Sequence, residues 1–203
     1  MNTINKDIAF IIMLAMVLGG CGNDQVWEKP MEKNDAIEMS KYPANPPEKP
    51  LHLLFIHHST GGQLLADHGS ETGMNCIYTS HPNGGGLKKL LEKNNYIVHE
   101  ASYGSLIGND TDICHWNTKF RDHMDKILSC KNQDEFFSDR TRNSIVVFKS
   151  CFPNSWIDAD GTGSGNPDSC EHTTVNYIAA YRNLLPYFAA QPDTLFVVMT
   201  APP

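Results

Sequence analysis

The chain has no excess of basic residues. Sixteen lysines and arginines stand against 23 aspartates and glutamates, a formal net charge of −7, whereas a nucleic-acid partner generally needs a basic face. No Cys-x-x-Cys pair occurs among the six cysteines, which removes the usual spacing of a structural zinc site, and six are too few for a disulfide-dense miniprotein. Nine histidines are present, and Asp112, Cys114 and His115 lie close together, but no ligand spacing is diagnostic. We therefore expect no metal and no cofactor, with a metal-dependent hydrolase kept only as a distant alternative. A long apolar run is also missing: the run at residues 8–17 is too short for a comfortable membrane span.

The N-terminus has the features of a secretory signal peptide instead. Lys6 precedes the apolar run, and Leu18-Gly19-Gly20-Cys21 follows it. This ending resembles the bacterial lipobox, which implies cleavage after residue 20 and a lipid-modified Cys21. Each buried methylene of an acyl chain contributes about 0.8 kcal/mol, so a multiply acylated cysteine holds firmly. The expected organisation is a signal peptide at 1–20, a lipidated tether at 21–50 and a folded domain at 51–203. In the tether Pro43, Pro46, Pro47 and Pro50 sit among Glu, Lys, Asn and Asp, a composition with little to bury; a short helix over 31–39 is the one element expected there. The implied location is outside the cytoplasm, anchored to a bacterial membrane, at the outer membrane or the cell surface.

Within the domain, the stretch Leu53-Leu54-Phe55-Ile56-His57-His58-Ser59-Thr60-Gly61-Gly62 stands out. An apolar strand ends abruptly in two histidines, a serine and a glycine pair, with a helix expected over 63–66. A buried strand that delivers a hydroxyl to a tight strand-to-helix turn is how α/β hydrolases present a nucleophile; the plainer alternative is that Ser59 caps the helix. Further on, strands are expected over 96–103, 144–151 and 194–200, and helices over 86–93, from Trp116 through Leu128, and over 173–190, where Pro186 is a candidate kink. Strands alternating with helices indicate a parallel sheet covered on both faces. In such sheets sites form at the carboxyl ends of the strands, and those ends carry Ser59, Gly104 and the loop with Asn154.

A hydroxyl after the first strand, a glycine after the second and an asparagine after the third resemble the SGNH (GDSL-like) hydrolase family. The resemblance implies a flavodoxin-like three-layer α/β/α fold and cleavage of esters, including acetyl esters on carbohydrates. By it His57-His58-Ser59 stands where the family has Gly-Asp-Ser, Gly104 is the glycine block, and Asn154 in Lys149-Ser150-Cys151-Phe152-Pro153-Asn154-Ser155 is the asparagine block. Ser59 is then the nucleophile, and the Ser59 and Gly104 amides with the Asn154 side chain form the oxyanion hole. One such donor is worth about a hundredfold to a thousandfold in rate. Ile107-Gly108-Asn109-Asp110 looks like the family's Gly-x-Asn-Asp block but follows the wrong strand, so Asn109 and Asp110 are assigned to a loop turn.

The base is the missing piece. The family's Asp-x-x-His block lies after a further strand, and none follows Thr194; Asp112-Ile113-Cys114-His115 and Arg121-Asp122-His123 lie in the wrong part of the topology. The expectation is a C-terminally incomplete copy of a longer protein, lacking its last strand or strands and helix, with weak or no hydrolysis. His57 and His58, adjacent on an extended backbone, point to opposite faces; His58 is the one expected to line the site, as a substrate contact or substitute base. Trp116 and Trp156 are candidates to stack on sugar rings, with plain packing as the alternative. In an exported protein Cys151 is expected to pair with Cys170, or Cys114 with Cys130. The competing function is a non-catalytic, glycan-binding cell-envelope lipoprotein.

Overall fold

The computed structural model describes residues 44–70 and 77–199. The signal segment, Cys21, most of the tether, Cys76 and residues 200–203 lie outside the described residues.

In chain order the elements are β1 (Leu51–Ile56), α1 (Thr60–Leu65), β2 (Asp67–His68), β3 (Ser80–His81), α2 (Leu87–Lys93), β4 (Tyr96–Ala101), α3 (Trp116–Ser129), β5 (Cys130–Asn132), β6 (Glu135–Phe136), β7 (Ile145–Lys149), α4 (Thr174–Ala189) and β8 (Leu195–Met199). Single turns of 3₁₀ helix span Ile113–His115 and Phe152–Asn154. Six strands form one sheet in the order β6-β5-β4-β1-β7-β8, all parallel except for the β5–β6 hairpin, and β2 and β3 pair separately. The hairpin and the β2–β3 pair are not legible in the sequence: strands of two or three residues carry too little sequence for an alternating pattern to show.

Period-two alternation along β1 decides the layers. Leu54 and Ile56 face one side of the sheet, where they join Phe148, Trp116 and Phe120 of α3 and Tyr177, Leu184 and Phe188 of α4. Leu53 and Phe55 face the other, against Leu65 of α1 and Leu87 and Leu91 of α2. β1 is thus buried on both faces and reads as an unbroken apolar run. Burying one such large side chain contributes about 1.5–3 kcal/mol, and the larger core holds three rings at its centre: Phe120 meets both Phe148 and Phe188 edge-on at 4.8–4.9 Å. The result is an α/β fold, a mostly parallel six-stranded sheet with helices on both faces, as the alternating pattern implied. α4 continues through Pro186, which is tolerated on an exposed face of the helix.

Two cysteine pairings are corrected. Among the described residues one disulfide joins Cys114 to Cys170, while Cys130 and Cys151 are free and buried. Neither expected pair forms because Cys151 lies just past the end of β7 and Cys130 opens β5 at the far side of the sheet, whereas Cys114 and Cys170 lie together in the turns leading into α3 and α4.

Candidate active site

β1 pairs with β4 on one side and β7 on the other, with Ile56 opposite both Ala101 and Phe148. Counting three residues beyond that row reaches Ser59, Gly104 and Cys151, so three chain segments leave the sheet at one level. The chain runs from β1 to β4 through the α1–α2 layer and from β4 to β7 through α3, across to the other side of β1. The crevice between β1 and β7 is therefore the point where the direction of winding reverses, the usual ligand position in open α/β sheets.

Ser59 is exposed and sits at φ 38°, ψ −102° between β1 and α1. An L-residue rarely takes this conformation, and holding it costs about 1–3 kcal/mol. It occupies the N-cap position of α1, but its side chain makes no capping hydrogen bond; only its carbonyl serves the helix, accepting from the Gln63 amide at 3.1 Å. The capping alternative is set aside. Gly61 permits the tight entry: a Cβ there would lie 2.4 Å from His57 Cβ.

The two histidines diverge as the strand period requires, and both are buried. His57 lies on the α1–α2 side, where Nε2 donates to Glu100 Oε2 at 3.2 Å; Lys88 of α2 donates to Oε1 of the same carboxylate at 2.8 Å. Burial pushes Glu100 upward, but the hydrogen bonds from His57 and Lys88 outweigh it and hold the carboxyl below its usual range. His57 Nδ1 is buried without a partner among the described residues. His58 lies on the opposite side: Nε2 donates to the Gly108 carbonyl at 2.6 Å, Nδ1 accepts from the Thr111 hydroxyl at 3.1 Å, and the ring stacks on Tyr103 at 3.6 Å. Burial first, then neighbouring positive charge, lowers it to about 4 despite the opposing Gly108 contact. With both nitrogens engaged, His58 has none left to take a proton from Ser59 or to bind substrate; it anchors the loop after β4.

That loop is held from below as well. Lys119 is 5% exposed and donates from Nζ to the carbonyls of Ile107 and Asn109, with burial lowering it to about 8. Gly104, at φ 81°, is exposed, and its amide donates to Asn109 Oδ1 at 2.7 Å. Asn109 thus shapes the turn, and the Gly104 amide must release that oxygen before it can hold an oxyanion. Asn154 is half-buried in the turn after β7, and its side-chain amide has no hydrogen-bond partner among the described residues. Tyr177 of α4 fixes this turn by donating its hydroxyl to the carbonyls of Asn154 and Trp156. Trp156 is 49% exposed, beside exposed Phe152 and Ile157, whereas Trp116 is fully buried with its indole N–H on Ser150 Oγ at 3.0 Å. Trp116 is a core residue, not a sugar platform.

Sequence reasoning missed one pair. His172, just ahead of α4, donates from Nε2 to the Asp112 carboxylate at 3.2 and 3.3 Å, with the two side chains 8% and 13% exposed. They are separated by 60 residues, so nothing local links them. Asp112 also caps the Ile113–His115 turn: its carboxylate accepts from the Ile113 amide, and its own amide donates to His115 Nδ1. The internal Asp-x-x-His motif is therefore a capping box. Cys114, His115 and Cys170 lie within 4.8 Å of one another, but the two sulfurs are joined to each other. Comparison with family models, with curated proteins and with solved structures finds no match to this chain.

Proposed function

We propose that the chain is an SGNH-type serine hydrolase of flavodoxin-like fold that cleaves esters, carbohydrate acetyl esters among them, and is held at a bacterial membrane by a lipid on Cys21. The observation that carries this reading is Ser59: an exposed hydroxyl without a capping bond, on a strained strand-to-helix turn at the reversal point of the sheet. In this reading the Ser59 hydroxyl attacks the ester carbonyl and the Asn154 side-chain amide donates to the oxyanion. The Ser59 amide and, once Asn109 moves away, the Gly104 amide add further donors. A fluorophosphonate probe tests it. The wild-type chain is expected to be labelled and Ser59→Ala is not; labelling that survives in Ser59→Ala sinks the serine reading.

A second reading is a glycan-binding lipoprotein that performs no chemistry. The exposed Phe152, Trp156 and Ile157 beside the crevice favour it. It predicts carbohydrate binding that Trp156→Ala weakens while no probe is taken up.

A further inference from the structure

The site as described has a hydroxyl and a donor for the oxyanion but lacks a proton acceptor. His57 is buried on the far side of the sheet, bound to Glu100, and both nitrogens of His58 are engaged. We propose that His172, positioned by Asp112, is the general base that serves Ser59, and that the Cys114–Cys170 disulfide fixes the pair. This rests on the serine-hydrolase reading.

The observations converge from three directions. The tautomer comes first. A carboxylate only accepts, so the hydrogen bond to Asp112 keeps the proton on Nε2 and leaves Nδ1 of the neutral His172 ring with a lone pair, as a base oriented by a carboxylate requires. The second is location. Thr111, next to Asp112, donates to His58 Nδ1, and His58 adjoins Ser59; on the other flank the Trp156 ring meets the His172 ring edge-on at 4.3 Å, two residues from Asn154. The pair thus sits on the α3–α4 side of the sheet, between the loops after β4 and β7 that border the crevice. The third is how firmly the pair is held. The disulfide lies two residues after Asp112 and two before His172. The His172 carbonyl also accepts from the Asp158 amide at 2.8 Å.

No hydrogen bond joins His172 to Ser59 in this structure, and catalytic hydrogen bonds often tighten only when substrate is bound. The chemistry balances. With a fluorophosphonate, the Ser59 Oγ–P bond forms and P–F breaks; fluoride leaves, and the hydroxyl proton passes to His172 Nδ1. With an ester, the same proton goes on to the departing alkoxide, and a water attacking the acyl-serine returns a proton by the same route.

The experiment measures the rate of fluorophosphonate labelling of the full chain against pH, for wild type, Ser59→Ala, His172→Ala and Asp112→Asn. Labelling is expected to vanish in Ser59→Ala, to fall at least a hundredfold in His172→Ala, and to be partly restored in His172→Ala by added imidazole. A packing role alone gives no such rescue. Asp112→Asn should fall about tenfold or more, and a thiol reductant should slow the wild type. Circular dichroism confirms that each variant is folded; a variant that is not is replaced by His172→Gln. If the wild type and His172→Ala label equally fast while Ser59→Ala does not label, the base assignment is overturned and the serine reading stands. If His172→Ala is slow but imidazole leaves it slow, the assignment is likewise overturned. If the wild type fails to label, or Ser59→Ala labels, the serine reading itself has failed.

Discussion

Acid should loosen this fold through His58. Its ring is 8% exposed and lies against Tyr103 with both nitrogens bonded, and burial holds it at about 4 against an ordinary 6.5. The folded state therefore refuses a proton that the unfolded chain accepts, so stability present at pH 7 is lost as the pH falls from about 6.5 towards about 4 and changes no further below that. At roughly 1.4 kcal/mol per unit, the full shift amounts to about 3 kcal/mol, most of it expressed between pH 7.5 and 4.5. The assay is urea unfolding of wild type and His58→Gln at several pH values across that range. His99, also lowered by burial, and Glu100 titrate in both proteins, so their contributions cancel in the comparison. The variant should be less stable at neutral pH but lose about 2–3 kcal/mol less on acidification. If both proteins lose the same amount between pH 7.5 and 4.5, the neutral, buried His58 described above is refuted.

Two further substitutions probe the turn that carries Ser59. Ser59→Gly removes the penalty of φ 38° and should raise thermal stability by about 1 kcal/mol while abolishing labelling; a lower melting temperature contradicts the strain. Gly61→Ala reverses the usual helix preference. An interior alanine normally gains up to about 1 kcal/mol over glycine, but here its Cβ would lie 2.4 Å from His57 Cβ, so a loss of about 2 kcal/mol is expected by denaturant titration, and a gain would show that the helix has room to shift.

The sheet was legible where strands are buried on both faces. β1, β7 and β8 declare themselves as apolar runs, and α4 by its spaced Val175, Ile178, Tyr181 and Leu185, because one-dimensional pattern follows directly from burial. Ser59, Gly104 and the segment leading to Asn154 could be placed at one edge for the same reason: strand ends follow from strands. What sequence could not supply was anything decided across long separations. Asp112 with His172, and Cys114 with Cys170, depend on how two loops fold back on the α3–α4 layer. The role of His58 was also hidden. A histidine beside a serine suggests chemistry, and only the carbonyl of Gly108 and the hydroxyl of Thr111 show that its nitrogens are already engaged.

Because β1 is hydrogen-bonded along both edges and covered on both faces, Ser59 stands directly on a strand held from every side. The rest of the candidate site is carried on loops beyond the sheet, held by the Cys114–Cys170 disulfide and by side-chain ties from His58, Lys119 and Tyr177. In the proposed reaction the nucleophile is thus mounted on the sheet, and the base and oxyanion donors on the loops. In that reading a substitution in the loops alters the rim and the chemistry together, whereas one in β1 displaces Ser59 itself.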